Sequence, residues 1–450
     1  MKQGKIEMPV INPKAGGIDV GGSFHYVCTG GKAEDVSSFG VYTEDLEALV
    51  KFLKDKGIET VALESTGSYW QVLFAMLQEN GLNPILVSGK FTKQVQGKKT
   101  DVQDCQWIQK MHSLGLLPNS YLPDQFTEEI RSYVRHRQGL IENKVKYVQK
   151  MQKALRLMNF RLDNAISDIT GKSGKAMIRS ILEGKTDADE LAGLADRRVR
   201  KSKEDIAKAM KGIYKEQHIF ELRQSYDLYN YFEQKIKECD EKINNLLEKE
   251  ITSREEQTEE QRPTYENKKR KKPGKNAADI DMQKIAYEIS GGIDLSEIEG
   301  VGSQTLLSII SEIGMDESKY PSAKHFCSWL GLAPNNKKTG GKVFSSKTSK
   351  NKNALSLAFQ KAANTIETNL KSGFLYQFFK RIQAKKGRRE AIIATARKLG
   401  VIIWNMLNNK EKYNPTPEHT ITEQQKQKAI KNMTQKMNRM GISVNDLQFE

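Results

Sequence analysis

The chain has 450 residues, with 72 lysines and arginines against 56 aspartates and glutamates, so its formal net charge is +16. At roughly 100–200 residues per domain, this length excludes a single all-enclosing core and predicts several folding units. The positive charge favours a polyanionic partner, with nucleic acid first, although a generally basic surface would show the same balance.

The cysteines and the apolar segments exclude other classes of protein. The four cysteines lie far apart and form neither a CxxC pair nor a zinc spacing, which predicts a reducing, cytoplasmic setting. No segment approaches the roughly 18 uninterrupted apolar residues of a membrane span, and the six histidines form no HExxH pair. We therefore expect no membrane partner and no histidine-ligated metal.

The first predicted domain covers residues 14–125. It alternates short β-rich runs with helix-period runs, which is typical of α/β layer structures. Its strand candidates are GGIDVGG, FHYVCTG, SSFGVY, TVALEST and NPILVSG. Between them, TEDLEALVKFLKDKG predicts a helix that begins at a threonine cap, Thr43, and ends at Gly57.

Residues 126–250 contain two heptad patterns. Apolar residues recur every seven positions in two series, Val134, Ile141, Val148, Leu155 and Leu162, then Leu222, Tyr229, Ile236 and Ile243. This spacing predicts long coiled-coil helices on either side of a polar insertion at about 163–215. The two helices could fold back on each other, pair between subunits, or belong to an ordinary bundle.

The rest of the chain divides into a linker, a second domain and a tail. Residues 251–285 have few large apolar side chains and change from acidic to basic, which predicts a flexible linker. Residues 286–408 predict a mainly α-helical domain. In it, IEGVGSQTLLSIISEIG is either a helix-hairpin-helix-like element whose turn amides face a phosphate or a helix start packed for structural reasons. NNKKTGGKVFSSKTSKNKN predicts a basic, hydroxyl-rich loop, and residues 409–450 form a polar tail.

Four carboxylates stand out against the basic background. Asp19 lies inside the first strand candidate and Glu64 ends the fourth, where a charge is costly unless it is paired or coordinates a cation. TDVQDCQWIQKMHSLG predicts a helix capped by Thr100, with Asp101 and Asp104 on one face of its first turns. Four converging carboxylates would repel one another, and Mg²⁺, which prefers oxygen ligands, would relieve this repulsion. The order of the acids therefore predicts a magnesium cluster, unless the helix pair only stabilises its own N-terminus.

Four segments of the chain form a recognisable set: GIDVGGSFHYVC, ALESTGSYW, LVSGKFTKQVQGKKTDVQDCQWI and SWLGLAPNNKKTGGKV. In these segments the chain resembles the DEDD-type insertion-sequence transposases, which are RNA-bridged recombinases related to pilin-gene invertases. The resemblance covers residues 14–160 and 290–408. It implies a RuvC-like (RNase H-like) first domain whose magnesium ligands are Asp19, Glu64, Asp101 and Asp104. Two such ions would assist the attacking and leaving oxygens in phosphodiester cleavage.

The same resemblance implies a serine nucleophile in the second domain that joins covalently to a DNA strand. The matching position in this chain is Thr339. A threonine hydroxyl can attack phosphorus, but its methyl group restricts the side chain and crowds an in-line approach. Three hypotheses follow: Thr339 is the nucleophile, Ser345 or Ser346 replaces it, or this copy is impaired.

Lysines near the two predicted sites are expected to neutralise DNA phosphates, although solvated lysines would give the same pattern. They are Lys98, Lys99, Lys337, Lys338, Lys342, Lys347 and Lys350. The resemblance further implies donor and target DNA, a noncoding guide RNA that supplies specificity, and a homo-oligomer (dimer or tetramer) joined through the coiled coils.

The sequence thus predicts a transposase or site-specific recombinase that cuts and rejoins DNA. One alternative is a transposase descendant that binds nucleic acid without catalysis, which the threonine at position 339 favours and the four intact acids oppose. Another is a sugar kinase of the actin-like ATPase class, because GIDVGGS also resembles the first phosphate loop of those enzymes. A kinase would need a second Asp-Gly loop and a Gly-rich adenosine site, and neither is evident in the sequence.

Overall fold

The computed structural model describes residues 8–92, 100–120, 122–256, 265, 274–315, 318–349, 353–415, 430, 434–435 and 437. The chain forms two compact units, Met1–Leu122 and Pro123–Glu450. The first unit is α/β and the second is mainly helical, as predicted for the two ends of the chain. Within these ranges, no helix combines the length and the apolar character needed to cross a bilayer.

A five-stranded sheet forms the centre of the first unit. Its strands are β1 (Ala15–Val20), β2 (His25–Cys28), β3 (Val36–Phe39), β4 (Thr60–Glu64) and β5 (Asn83–Val87). They lie in the order β3-β2-β1-β4-β5. The first three pair antiparallel, whereas β4 and β5 run parallel to β1. The five predicted strands are confirmed with slightly shifted ends, and the carboxyl ends of the three parallel strands meet at one edge.

Helices pack on both faces of this sheet. They are α1 (Thr43–Asp55), α2 (Trp70–Glu79), α3 (Gly89–Thr92) and α4 (Asp101–Ser113). Leu63 on β4 belongs to the core shared with α1 and α2, while its neighbour Ala62 packs with Ile108 of α4. Because successive strand residues face opposite sides, α4 lies on the face away from α1 and α2.

The start of α1 differs from the prediction by one residue. Tyr42 is the N-cap and Thr43 is the first helical residue. The Asp45 carboxylate accepts a hydrogen bond from the backbone N–H of Tyr42 at 3.1 Å. A carboxylate in the first turn therefore satisfies this helix end, and a threonine cap is not needed.

The second unit starts with a helical hairpin that contains a group of short helices. Its helices are α5 (Gln125–Leu157), α6 (Leu162–Ala165), α7 (Lys172–Leu182), α8 (Ala188–Gly193), α9 (Lys203–Met210) and α10 (Glu216–Glu256). Helices α5 and α10 fold back on each other, with Tyr147 stacked on Phe232 at 5.6 Å between ring centroids and Arg137 paired with Asp240. Leu162 lies beyond α5, so the first heptad series ends earlier than predicted. The heptad residues that are buried are Ile141, Leu155, Leu162, Leu222, Tyr229, Ile236 and Ile243.

The predicted polar insertion contributes to a hydrophobic core that it shares with α5 and α10. Met177, Ile181, Leu191 and Ile206 of the short helices pack with apolar residues of α5 and α10. Many charged residues of this stretch lie on the exposed faces of the same helices. The polar composition of this stretch therefore did not predict the small helical bundle that it forms.

The C-terminal part of the second unit is mainly helical. Its elements are α11 (Met282–Ile289), α12 (Ser303–Ile313), α13 (Ala323–Trp329), β6 (Lys337–Thr339), β7 (Lys342–Ser345), α14 (Ala354–Asn369), α15 (Phe374–Lys386) and α16 (Arg388–Asn409). The predicted linker shares residues with α10 and α11, and Ile280 is buried in the core. Residues 257–264 and 266–273 of that linker, and most of the predicted tail, lie outside the described residues.

The Gly-Val-Gly turn leads into α12 as predicted. A three-residue 3-10 turn, Leu295–Glu297, comes before it, and Gly302 is the N-cap of α12. Gly300 has a φ of 78°, and a Cβ there would lie 2.9 Å from the carbonyl oxygen of Ala362 on α14. One side of this turn is therefore packed in the interior, and both the positive φ and the close contact favour glycine at position 300. Phosphate binding by the turn amides stays a prediction.

Candidate active site

The two strand acids lie next to each other. β1 pairs with β4 in parallel, with Ile18 opposite Leu63. The next residues along the two strands are Asp19 and Glu64, and both are half-buried. By strand alternation they share the face of Ala62, which packs under α4. Two of the four predicted ligands therefore lie at the carboxyl edge of the sheet, where α/β proteins usually bind their ligands.

Helix α4 runs antiparallel to β1 across this face. At its middle, a Cβ on Gly17 would lie 2.6 Å from Cα of Gln109 and 2.7 Å from the carbonyl oxygen of Cys105. At its end, Nε2 of His112 lies 2.9 Å from Oγ1 of Thr60, the first residue of β4. The end of α4 is thus at the amino edge of the strands. Its first turn is therefore at the carboxyl edge, with the two strand acids.

Thr100 caps this first turn, as predicted. Its hydroxyl accepts a hydrogen bond from the backbone N–H of Gln103 at 3.3 Å. Asp101 is exposed and Asp104 is half-buried in the turn that follows. Carboxylates here are suited to hold a cation and are also favoured by the helix macrodipole, so their position agrees with both hypotheses for this pair.

Hydroxyl groups from the neighbouring segments hold the Glu64 carboxylate. Thr92 donates to Oε2, and Thr66 donates to Oε1 at 3.4 Å. Thr92 ends α3, which follows the parallel strand β5. A Cβ on Gly89 would lie 2.8 Å from Oε1, so glycine leaves room for the carboxylate. Sequence reasoning did not identify these neighbours. The available signal was a glycine and a hydroxyl just after the adjacent parallel strand.

Two buried cysteines lie near Asp19. The thiol of Cys105 on α4, acting as a hydrogen-bond partner, lowers the pKa of Cys28 on β2. The interaction with Cys28 raises the pKa of Cys105, together with burial and the negative charges of Cys28 and Asp19. Asp19 therefore acts electrostatically on the residue that follows Asp104. The wide separation of the two cysteines in the sequence gave no signal of this pairing.

The ranges that the structure describes contain no group of three or more histidine, cysteine, aspartate or glutamate side chains that could hold a metal ion. Residues 93–99, which precede α4 and include Lys98 and Lys99, lie outside those ranges. The predicted donor set nevertheless fits Mg²⁺ chemically, because it consists only of carboxylates from adjoining elements and Mg²⁺ takes oxygen ligands. The closed four-acid cluster stays a prediction.

The predicted nucleophile loop is a β-hairpin. Thr339 at the end of β6 lies opposite Lys342 at the start of β7. Gly340 and Gly341 between them have φ values of 56° and 77°. Two successive positive φ angles are typical of a type I′ turn, which glycine adopts without strain. Thr339 is exposed, so its hydroxyl is accessible at the tip of the hairpin.

The base of the hairpin is closed by contacts between the two segments that flank it. Pro334 forms a β-bridge with Thr348, and the backbone N–H of Asn335 donates to the carbonyl of Lys347 at 3.1 Å. Ser345 is half-buried and Ser346 is exposed. The predicted phosphate-binding lysines that the structure describes are all exposed: Lys337, Lys338, Lys342 and Lys347. Lys350 lies outside the described residues.

Two family models match the chain. A model of IS110-family DEDD transposases matches residues 16–160, which contain the strand acids and α4. A model of the Transposase IS116/IS110/IS902 family matches residues 294–377, which contain the hairpin. The chain belongs to the IS110-type transposases. A comparison with curated proteins finds no match to this transposase.

Membership of this family identifies the class of partner and of activity. A transposase is a DNA-processing enzyme, so the prediction of a nucleic-acid partner from the net charge is confirmed for DNA. The kinase alternative is set aside, because the segment that suggested it lies inside the first family match. The four predicted acids of the transposase and its hairpin with Thr339 therefore lie in two separately matched regions.

Proposed function

We propose that this transposase cuts and rejoins DNA strands with a magnesium site formed by Asp19, Glu64, Asp101 and Asp104. The observation that supports this site best is the direction of α4, whose first turn shares one edge and one face of the sheet with the ends of β1 and β4. Mg²⁺ bound by these carboxylates would stabilise negative charge on the attacking and leaving oxygens of a phosphodiester. The four carboxylates supply the oxygen ligands, and the hydroxyls of Thr92 and Thr66 orient that of Glu64.

Thr339 supplies the nucleophile in this proposal. Its Oγ1 attacks a DNA phosphorus, a threonine–phosphate ester forms, and the bond from phosphorus to one sugar oxygen breaks. The hydroxyl proton passes to water, and the departing sugar oxygen takes up a proton. A hydroxyl of the second DNA strand then attacks the same phosphorus and releases Thr339. Exposure at the tip of a lysine-rich hairpin supports this role, because a DNA strand can approach it.

Donor and target DNA are the substrates, and a noncoding RNA that pairs with both would supply the specificity. The net charge of +16 suits such a nucleic-acid assembly. Pairing of α5 and α10 with those of other subunits would join two or four copies. Purifying the full chain, with and without nuclease treatment, and sequencing and sizing the bound nucleic acid tests the RNA. A defined bound RNA supports guidance, and its absence from an active preparation refutes it.

Strand transfer on DNA that carries the ends of the encoding insertion sequence tests the chemistry. We expect Asp19→Asn and Thr339→Ala to abolish strand transfer and Thr339→Ser to retain it. Ser345→Ala and Ser346→Ala serve as matched controls, since each removes a hydroxyl from the same hairpin region. An active Thr339→Ala variant would eliminate Thr339 as the nucleophile. Activity lost only in a serine variant would assign the role to that serine.

The second candidate is a transposase descendant that binds DNA without cutting it. The observation that favours it is the threonine at a position where the resemblance implies serine. This candidate predicts that the wild-type chain binds DNA and transfers no strand in the presence of Mg²⁺. Gain of strand transfer in Thr339→Ser would identify the threonine as the cause of the impairment.

A further inference from the structure

Phe344 is unusually exposed on the hairpin that carries Thr339. Its exposed fraction is 84%, the largest among the large hydrophobic side chains that the structure describes. A single exposed apolar residue needs no explanation by itself. This one, however, follows Val343, which is also exposed at 54%, on a short strand that is otherwise polar.

A β-bulge projects this phenyl ring from the hairpin. Lys338 lies opposite Val343, but Lys337 lies opposite Ser345, so the register shifts by one residue and Phe344 has no cross-strand counterpart. Bulges of this kind redirect a side chain and are common beside active sites. The hairpin is therefore built so that the Phe344 ring is directed by the bulge and not by cross-strand packing.

The ring is close to the proposed nucleophile along the hairpin. Thr339 lies opposite Lys342, and Phe344 is two residues further on the same strand. At about 3.4 Å per residue the offset is about 7 Å. Stacked nucleotides of one DNA strand are also spaced by about 3.4 Å, so the offset corresponds to about two nucleotides.

The surroundings of the ring favour a nucleic-acid strand over a protein partner. The exposed lysines of the hairpin region, Lys337, Lys338, Lys342 and Lys347, complement a phosphate backbone. An aromatic ring among lysines is the combination with which proteins hold single strands, because every unpaired base offers a π-face for stacking. Base faces inside a duplex are already covered by their neighbours.

We propose that Phe344 stacks on an unpaired DNA base within about two nucleotides of the phosphate that Thr339 attacks. The inference rests on the proposed function for the identity of that strand. Stacking would hold the strand in one register on the hairpin, while the lysines bind its phosphates without regard to register. Phe344 thus binds the substrate strand, a role distinct from those of the four acids and of the Thr339 hydroxyl.

Fluorescence anisotropy with a labelled single-stranded DNA oligonucleotide and the full-length chain tests the proposal. We expect Phe344→Ala to weaken binding by about 5- to 150-fold, the range that corresponds to loss of one aromatic side chain stacked on a base. Phe344→Trp should bind like wild type, because it keeps an aromatic face. Phe220→Ala on α10 is the matched control, since it removes another exposed phenylalanine, and it should leave binding unchanged.

Several results would overturn the inference. One is wild-type affinity in Phe344→Ala, and another is an equal loss in Phe220→Ala. A change of oligomeric state in Phe344→Ala with normal DNA binding would assign the ring to a second copy of the chain. Weakened binding of an RNA oligonucleotide with DNA binding intact would assign it to RNA. The proposed function is judged separately, since Thr339→Ala must abolish strand transfer while its DNA affinity stays normal.

Discussion

Replacing Gly17 with alanine tests whether the close packing of α4 on β1 positions the acids. The added Cβ would lie 2.6 Å from Cα of Gln109 and 2.7 Å from the carbonyl oxygen of Cys105, and both are backbone atoms that no rotamer change can move. Ordinary contacts of a Cβ begin at 3.4 Å. The helix must therefore retreat by roughly 1 Å, because the packed interior has no free space to absorb the methyl group.

The expected cost follows from this displacement. Overpacking of a core contact typically lowers the free energy of unfolding by about 1–3 kcal/mol, which a well-folded unit tolerates. A misplacement of about 1 Å in catalytic groups can lower the rate by about 100-fold. We therefore expect Gly17→Ala to fold and to transfer strands about 100-fold more slowly than wild type, because Asp101 and Asp104 move away from the strand acids.

Gly16→Ala is the matched control on the same strand. Its Cβ would meet only side-chain atoms, the nearest being Cγ2 of Ile58 at 3.3 Å, on the face away from α4. Both variants are compared by urea unfolding and by strand transfer at saturating Mg²⁺. Wild-type strand transfer in a folded Gly17→Ala variant would refute the reasoning. So would an equal loss in Gly16→Ala.

Three further predictions concern stability and the nucleophile. Asp240→Asn should lower the free energy of unfolding by about 3–5 kcal/mol in urea titrations, since it leaves the charge of buried Arg137 uncompensated. The control Glu238→Gln breaks an exposed ion pair with Lys235 and should lower it by under about 1 kcal/mol. Burial lowers the pKa of His112 from 6.5, so the unfolded chain takes up the proton at a higher pH than the folded chain, and the free energy of unfolding should fall as the pH drops below about 6.5. His112→Gln should make the free energy of unfolding less dependent on pH in this range. An unchanged pH profile in that variant would contradict the prediction. Thr339→Ser should transfer strands faster than wild type, because removal of the methyl group relieves crowding, and a slower serine variant in the same assay would contradict this.

Local patterns in the sequence predicted the strands and the start of α4. Alternating or continuous β-branched runs specify strands through burial, and Thr100 caps a helix through a hydrogen bond made within three residues. The cap of α1 was predicted one residue late, because a carboxylate in the first turn can do the work of a capping hydroxyl. Such local chemistry needs no knowledge of the tertiary fold.

Other features depend on contacts between distant segments. Thr92 reaches Glu64 only because β5 lies beside β4, and Cys28 meets Cys105 only because α4 crosses the sheet. The hairpin was predicted as a loop, because lysine is depleted in strands and the flanking residues are rich in lysine. The two successive glycines, which are typical of a two-residue hairpin turn, were the signal for it. Its bulge at Phe344 arises from register, which single-strand patterns do not contain.

Crystals grown with Mn²⁺, which replaces Mg²⁺ and scatters anomalously, test the central claim most directly. We expect an anomalous peak at the carboxyl edge of the sheet, with oxygens of Asp19, Glu64 and at least one of Asp101 and Asp104 at about 2.0–2.3 Å. The peak should disappear in an Asp19→Asn variant that remains folded. A peak bound by other residues, or none at this edge at saturating Mn²⁺, would contradict the account.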